Sequence, residues 1–374
     1  MKIKTDCRFY LGDRPCCFHK QELVVCDQCS HYEPVSERIL LIKLGAAGDV
    51  VRTTPLLVPL RERHPQALIY WLSDFPEFIP SSVEQAMAFN HRNLLTLQAT
   101  PFAAIYNLDK DREACALASL LEAPKKYGFD LVQGHCHPIG DAAHAKWLTG
   151  VSDPLNQANT LSYLEEIFSI CGFTYRGEPY ILEVPNQDQF ATLRNGTPVV
   201  GLNTGCGARW PSRLWPLSHW ISLAGKLRSQ GFQVVLLGGP AEHQQNLEIA
   251  QASGVNYLGF FEMPQFINLI SACDLVVTGV TLALHLALGM NKQVVLFNNI
   301  FNRNEFELFG LGTIIEPEVS CRGCFKNTCE TNCMALISPE MVSEEINRLH
   351  PISGTQMPDS PFMPGKMESA AAKF

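Results

Sequence analysis

Two groups of cysteines carry the densest chemistry in the sequence. Cys321, Cys324, Cys329 and Cys333 follow one another as C-x2-C-x4-C-x3-C in a polar, Gly-containing stretch. Four thiols at that spacing suit a tetrahedral structural site for zinc or iron; the alternative is four unbound thiols that happen to cluster. A cubane cluster fits less well, because its usual C-x2-C-x2-C core is missing. Cys7, Cys16, Cys17, Cys26 and Cys29 crowd residues 1–36, with His19 and His31 nearby. Cys26 and Cys29 form a C-x2-C knuckle, and Cys7, Cys16, Cys26 and Cys29 make a second candidate metal set. A segment this short and polar would hardly fold without a metal or a disulfide. Cys115, Cys136, Cys171, Cys206 and Cys273 are scattered, and most read as small buried apolar side chains; Cys206 lies in a Gly-rich loop with no evident base partner.

Other residues offer polar rather than thiol chemistry. Asp49 follows the turn GAAG at 45–48, which makes it either a helix N-cap or a carboxylate presented at the mouth of a cleft. Thr204 and Gly205 open the Gly-rich loop TGCG and bring hydroxyl and backbone donors to an anion. Thr281 and Leu282 stand where a strand gives way to a helix, whose free N–H groups form another anion site. His285 lies one turn into that helix, on an apolar face, and reads first as a structural residue that orients the loop. His135 and His137, with Asp141 and His144 downstream, have metal-like spacing, but contact with a bound substrate is the better reading.

These residues need a frame. The apolar run 38–44 ends at a Gly turn and reads as a buried strand, with helical spacing over 49–63. Further strands are expected at 67–72, 103–109 and 129–133. The second half repeats the pattern, with strands at 198–203, 232–237, 275–278 and 293–297 and helices at 217–230, 242–253, 264–273 and 281–289. Alternating strand and helix implies parallel sheets covered on both faces. The expected organisation is therefore α/β: a Cys-rich segment (1–36), two Rossmann-like doubly wound domains (37–190 and 191–350) facing a cleft, and an aperiodic, disordered tail (351–374). Ligands of such sheets bind beyond the carboxyl ends of the strands, where the connections reverse.

Composition narrows the function. Lys+Arg is 29 and Asp+Glu is 37, giving 29 − 37 = −8, which argues against a protein that coats nucleic acid. The first ten residues lack the apolar run of a secretory leader. The apolar stretch 275–290 is broken by Thr278, Thr281 and His285 and is too short to span a bilayer. A cytoplasmic location is expected, compatible with peripheral contact at the inner membrane.

Four motifs in order carry a resemblance. KLGAAGDVVRTTP at 43–55, RWPSRLWP at 209–216 with Trp220, LLGGP at 236–240 and VTGVTLALH at 277–285 resemble glycosyltransferase family nine, the ADP-heptose:lipopolysaccharide heptosyltransferases. The likeness runs from residue 38 to about 349. It implies the GT-B type of fold, with the acceptor mainly on the first domain and the sugar nucleotide mainly on the second. Transfer would invert the anomeric centre and need no metal or other cofactor. The resemblance makes Asp49 the candidate general base, which takes the acceptor hydroxyl proton. Arg213 stands where the family more often has Lys and would steady the leaving diphosphate. Thr204, Gly205, Thr281, Leu282 and His285 fall on the donor side. Arg52, His135 and His137 fall on the acceptor side, and Lys43 and Arg209 belong to cleft-facing motifs as well.

Two positions depart from the family pattern. Val280 stands where Asp is usual, and Val cannot hydrogen-bond. The usual F-G-P-T loop is FNNI at 297–300. Both lie on the donor side and shift the expected donor contacts to Asn298, Asn299 or Glu305. Similar cysteine groupings at 321–333 occur in the autotransporter heptosyltransferases, which bind iron there. The expected partners are a nucleotide sugar, ADP-heptose in the first place, and a lipid-linked or other glycan acceptor. The alternative is a degenerate family member that binds nucleotide or glycan as a scaffold, with Val280 as its motive.

Overall fold

The structure, a computed structural model, describes residues 2–207 and 210–351. Arg209 and, beyond Pro351, the tail expected to be disordered lie outside the described residues.

The first sheet comprises β1 (Glu37–Ile42), β2 (Ala67–Ser73), β3 (Gln85–Ala88), β4 (Ala104–Asn107), β5 (Lys125–Val132) and β6 (His135–Ile139), in the order β3-β2-β1-β4-β5-β6. All neighbours are parallel except β5 and β6, which form an antiparallel hairpin. The second sheet comprises β7 (Val199–Asn203), β8 (Gln233–Leu237), β9 (Leu275–Gly279), β10 (Gln293–Phe297) and β11 (Gly312–Ile315), all parallel, in the order β11-β10-β9-β7-β8. The two doubly wound α/β sheets expected from the alternating pattern are both present. The short strands β3, β6 and β11 were not among those expected, because edge strands of four or five residues carry little periodic signal.

The central strands are apolar at successive positions because both of their faces are buried. In β1, Ile39 and Leu41 enter one core while Leu40 and Ile42 enter another. In β9, Leu275 and Val277 pack under one set of helices and Val276 on the opposite face. Each such side chain contributes about 1.5–3 kcal/mol by leaving water. The core that holds Ile39 and Leu41 also holds Val276, Leu284 and Val294, so apolar packing is continuous between the two sheets.

The helical stretch expected over 49–63 is broken. Helix Ala47–Val51 gives way to a 3-10 turn, Thr54–Leu56, before helix Leu57–Arg63. Pro55 is the reason, since it has no N–H for a continuous helix. None of residues 2–36 is buried. That segment is tied to the first domain through Arg8, which pairs with Glu84; Glu84 in turn accepts from the Ile69 N–H at 2.9 Å and pairs with Arg61 at 2.9 Å.

Candidate active site

The connections reverse at one place in each sheet. In the first, the chain runs outward from β1 to β3 and then returns to the other side of β1 as β4. The loops after β1 and β4 therefore meet, and the charged cluster lies there, as expected for a doubly wound sheet. Asp49 lies in helix Ala47–Val51, with its side chain 31% exposed. Its Oδ1 is 2.9 Å from Arg52 Nε and its Oδ2 is 3.7 Å from Lys43 Nζ; Oδ2 also accepts from the Ala46 N–H at 3.3 Å. Asp49 thus serves as a local helix cap as well as an open carboxylate. Burial alone would raise its pKa. The cations Arg52 and Lys43, with the Ala46 amide, outweigh burial and hold the carboxyl below its usual range.

Arg52 is itself held from three sides. Its guanidinium lies 3.6 Å over the Tyr163 ring, and its Nη2 donates to Glu305 Oε1 at 2.9 Å. Arg52 and Glu305, expected on the acceptor and donor sides respectively, meet in a single ion pair that joins the two halves of the molecule. Behind Asp49, the Lys43 ammonium sits 3.4 Å from Asp109 Oδ2. Helix Leu282–Gly289, from the second half, closes the site. Its His285 packs on Gly48, where an added Cβ would come within 2.5 Å of the imidazole Cδ2. Burial first, and then the Arg52 charge, push His285 down to about 3, so the ring is neutral. The structural reading of His285 and its place in the site therefore coexist.

In the second sheet the reversal falls between β7 and β9. The loop after β7 carries Thr204 and Gly205, and the loop after β9 carries Val280 and Thr281. Asn203 Nδ2 joins them by donating to Thr278 Oγ1 at 3.0 Å and to Thr281 Oγ1 at 3.2 Å. Thr281 is the N-cap residue of helix Leu282–Gly289, and Leu282 is that helix's first residue. The Thr204 hydroxyl is engaged, donating to Asn246 Oδ1 at 2.6 Å. Gly205 lies close against Glu242, whose side chain would have to shift for a Cβ there, 2.3 Å from its Oε1. Arg213 donates to the carbonyls of Val280 and Cys206 and has no carboxylate partner among the described residues. Its buried Nε has no hydrogen-bond partner. A half-buried guanidinium without a counter-anion, and with a donor to spare, is suited to receive an anion. Val280 joins this arrangement through its carbonyl rather than its side chain.

Other expected residues lie apart from the cluster. Asn298 is buried and donates to Phe301 O at 2.9 Å and Glu316 Oε1 at 2.7 Å, which makes it a loop staple. Asn299 donates to Ser212 O at 2.9 Å and to Cys333 Sγ at 3.4 Å. His135 and His137 are exposed on the edge strand β6, where His137 sits 3.4 Å from Asp130 across the hairpin. All four cysteines at 321–333 are free thiols. Cys7, Cys16, Cys26 and Cys29 line one cavity of ≈ 340 Å³ together with His19 and His31. Among the described residues, no three His, Cys, Asp or Glu side chains are gathered as a metal site.

Sequence reasoning missed Asp109, Tyr163 and Glu242 as members of the site. Asp109 had a signal, since it stands at the carboxyl end of an expected strand. That this strand neighbours β1 is a property of strand order, which the sequence does not display.

Comparison with known proteins agrees with this fold. The family model for glycosyltransferase family 9 (heptosyltransferase) matches residues 92–334. Lipopolysaccharide heptosyltransferase 2 of Escherichia coli K12 is 31% identical over 115 residues, which are 29% of this chain and 32% of that protein. The chain spans about a third to about half the length of the curated relatives it matches. Among solved structures, E. coli ADP-heptose LPS heptosyltransferase II superposes with a TM-score of 0.62 at 20% identity, covering 83% of this chain and 98% of that one. The iron-containing dodecameric glycosyltransferase TibC of enterotoxigenic E. coli superposes with a TM-score of 0.55 at 14% identity, covering 84% and 76%. The two sheets and the family match over most of the chain agree: this chain belongs to glycosyltransferase family 9, the heptosyltransferase family.

Proposed function

We propose that the chain is an inverting glycosyltransferase that moves a heptose, or a closely related sugar, from an ADP-sugar to a hydroxyl of the lipopolysaccharide core or another envelope glycan. The observation that carries this is the pairing of an ionised, partly exposed carboxylate at one reversal point with a counter-anion-free guanidinium at the other. In a single displacement the acceptor oxygen attacks the anomeric carbon and its proton passes to Asp49. The bond from that carbon to the diphosphate oxygen breaks, and ADP leaves with the electron pair. Asp49 is kept ionised by Arg52 and Lys43, and is therefore ready to accept a proton at neutral pH. Arg213, a cation with no carboxylate partner among the described residues, would neutralise the charge that develops on the leaving diphosphate. The donor named for the relative heptosyltransferase II supports ADP-heptose. The work would take place at the cytoplasmic face of the inner membrane; no helix among the described residues is long and apolar enough to cross a membrane.

The test is ADP release from ADP-heptose with a lipopolysaccharide-core acceptor. Asp49→Asn should lower kcat by at least about 100-fold, the usual reach of a general base, with donor binding retained. Wild-type-like turnover by that variant would overturn the assignment of the base. Nucleotide binding without turnover by the parent chain, with any sugar nucleotide, would favour a scaffold role.

Structural metal at the cysteines is part of the same proposal. Burial raises the Cys333 thiol, and Cys329, Cys321 and Cys324 add to the rise, so Cys333 lies within electrostatic reach of the other three. Cys329 is held below the ordinary thiol range by the Thr331 hydroxyl and the backbone amides of Thr331, Cys333 and Asn332, an environment that favours a ligating thiolate. TibC, similar in fold, is described as iron-containing. The C-x2-C-x4-C-x3-C donor set carries this reading, with zinc or iron as the ion and the thiols drawn closer around it than they stand in the structure. Elemental analysis of the purified protein should find metal that Cys333→Ser removes, and a further equivalent that Cys26→Ser removes. Metal-free protein, purified anaerobically, would overturn it.

A further inference from the structure

Lys43 and Asp109 form a buried ion pair directly behind Asp49. They are 5% and 6% exposed, and their charged atoms are 3.4 Å apart. A buried ion pair is a poor way to gain stability, since apolar packing of the same volume serves as well or better. Their other contacts supply the reason for the pair. Asp109 Oδ2 accepts from the Leu44 N–H at 2.8 Å and the Gly45 N–H at 3.3 Å, so it grips the turn that leads to Asp49. Lys43 Nζ reaches past Asp109 to Asp49 Oδ2 at 3.7 Å. Asp109 stands two residues beyond β4 and Lys43 one residue beyond β1, so the pair bridges the two strands that flank the reversal point.

We propose that Lys43 and Asp109 are positioning residues for the base: Asp109 fixes the Lys43 ammonium and the turn after β1, and Lys43 holds one oxygen of Asp49 so that the exposed edge of the carboxylate meets the acceptor. This rests on the reading of Asp49 as the base. Lys43 does not act alone on that carboxylate. Arg52 faces it from its own helix, His285 from helix Leu282–Gly289, and Tyr163 and Glu305 lie behind Arg52. Arg52 stays in place when Lys43 is removed, so Asp49 remains a carboxylate with one cation fewer.

The pH dependence of kcat/KM separates positioning from a merely structural role. In Lys43→Met the acid limb should move up by about one pH unit, and kcat should fall about 10- to 100-fold with KM for ADP-heptose within about two-fold. Asp109→Asn leaves the Lys43 charge in the site, with an amide oxygen still able to accept from the ammonium. It should leave the acid limb at or below its wild-type place while kcat falls through the loosened turn. Lys43→Met leaves a buried carboxylate unpaired, so the double variant Lys43→Met/Asp109→Asn, which removes both charges, is measured beside it and should show the same upward shift. Titration of 13C-labelled Asp49, assigned against Asp49→Asn, reads its ionisation in each variant without turnover. A folded double variant with the wild-type acid limb, wild-type kcat and an unmoved Asp49 titration would overturn the inference. If Asp49→Asn itself keeps its activity, the base assignment falls first; if Asp49→Asn is inactive while the Lys43 variants behave as wild type, only the positioning role falls.

Discussion

Gly48 shows how one residue can join two halves of an enzyme. It sits one position before Asp49, and its missing side chain is the space that His285 fills: an added Cβ would lie 2.5 Å from the imidazole. His285 is a packed ring rather than the tip of a flexible chain, so Gly48→Ala must push helix Leu282–Gly289 away. Overpacking of this kind costs about 1–3 kcal/mol, and kcat should fall because the base turn moves with it. Thermal melts and steady-state rates of that variant test both effects; an unchanged melting temperature would mean that the ring has room to turn. The pH profile belongs to the same scale. Arg52 and Lys43 hold Asp49 below the usual carboxylate range, so kcat/KM should stay flat as pH falls from neutral through about 5, since an ordinary Asp loses its charge only near 3.9. A limb centred near pH 6 would point to a different base.

At the scale of elements, helix Leu282–Gly289 carries a stability signature of its own. His285 is buried and neutral in the folded chain, with its pKa pushed down to about 3, whereas it takes a proton near 6.5 when unfolded. Between those values the unfolded state binds one proton more than the native state, so stability falls as pH drops from about 6.5 towards 3. The slope due to this residue is at most about 1.4 kcal/mol per pH unit. His285→Gln should remove that slope while leaving the remaining acid sensitivity, which denaturant melts across this window would show; an unchanged slope would assign it to carboxylates instead. The same helix shows what the sequence displays and what it hides. Its start at Thr281, the strand before it and the Gly turn before Asp49 are legible because apolar periodicity and turn residues are local signals. The Arg52–Glu305 pair, the Lys43–Asp109 pair and the fit of His285 on Gly48 are not, because each depends on which strands become neighbours. Glu305 and Arg52 were each legible as cleft residues, but not as partners. That His135 and His137 stand exposed on an antiparallel edge strand is likewise not legible, because the turn before it, Gln133-Gly134, is indistinguishable by composition from a cleft loop.

For the whole molecule, the decisive feature is that the core does not stop between the sheets. Ile39 and Leu41 of β1 share a cluster with Val276 of β9, Leu284 of helix Leu282–Gly289 and Val294 of β10. The Arg52–Glu305 pair spans the same junction. Unfolding either half would expose apolar surface on the other, so the chain should melt in one calorimetric transition rather than two. A ligand bound to one half then stabilises both. If ADP binds beside Arg213, saturation at 100 times its Kd adds about 2.7 kcal/mol to the stability of the whole unit. Hydrogen exchange is the sharper measurement, because it reports each strand separately. With ADP present, amides of β1 and β4, in the sheet that does not hold the nucleotide, should slow together with those of β7 and β9, while UDP at the same concentration should leave both unchanged. Protection confined to β7 and β9 would mean that the halves open independently and that the junction is a contact rather than a shared core. Glu305→Gln sharpens the comparison: it removes the ionic link and leaves the apolar one, so β1 should keep most of its nucleotide-dependent protection if the core carries the coupling, and lose it if the Arg52–Glu305 pair does.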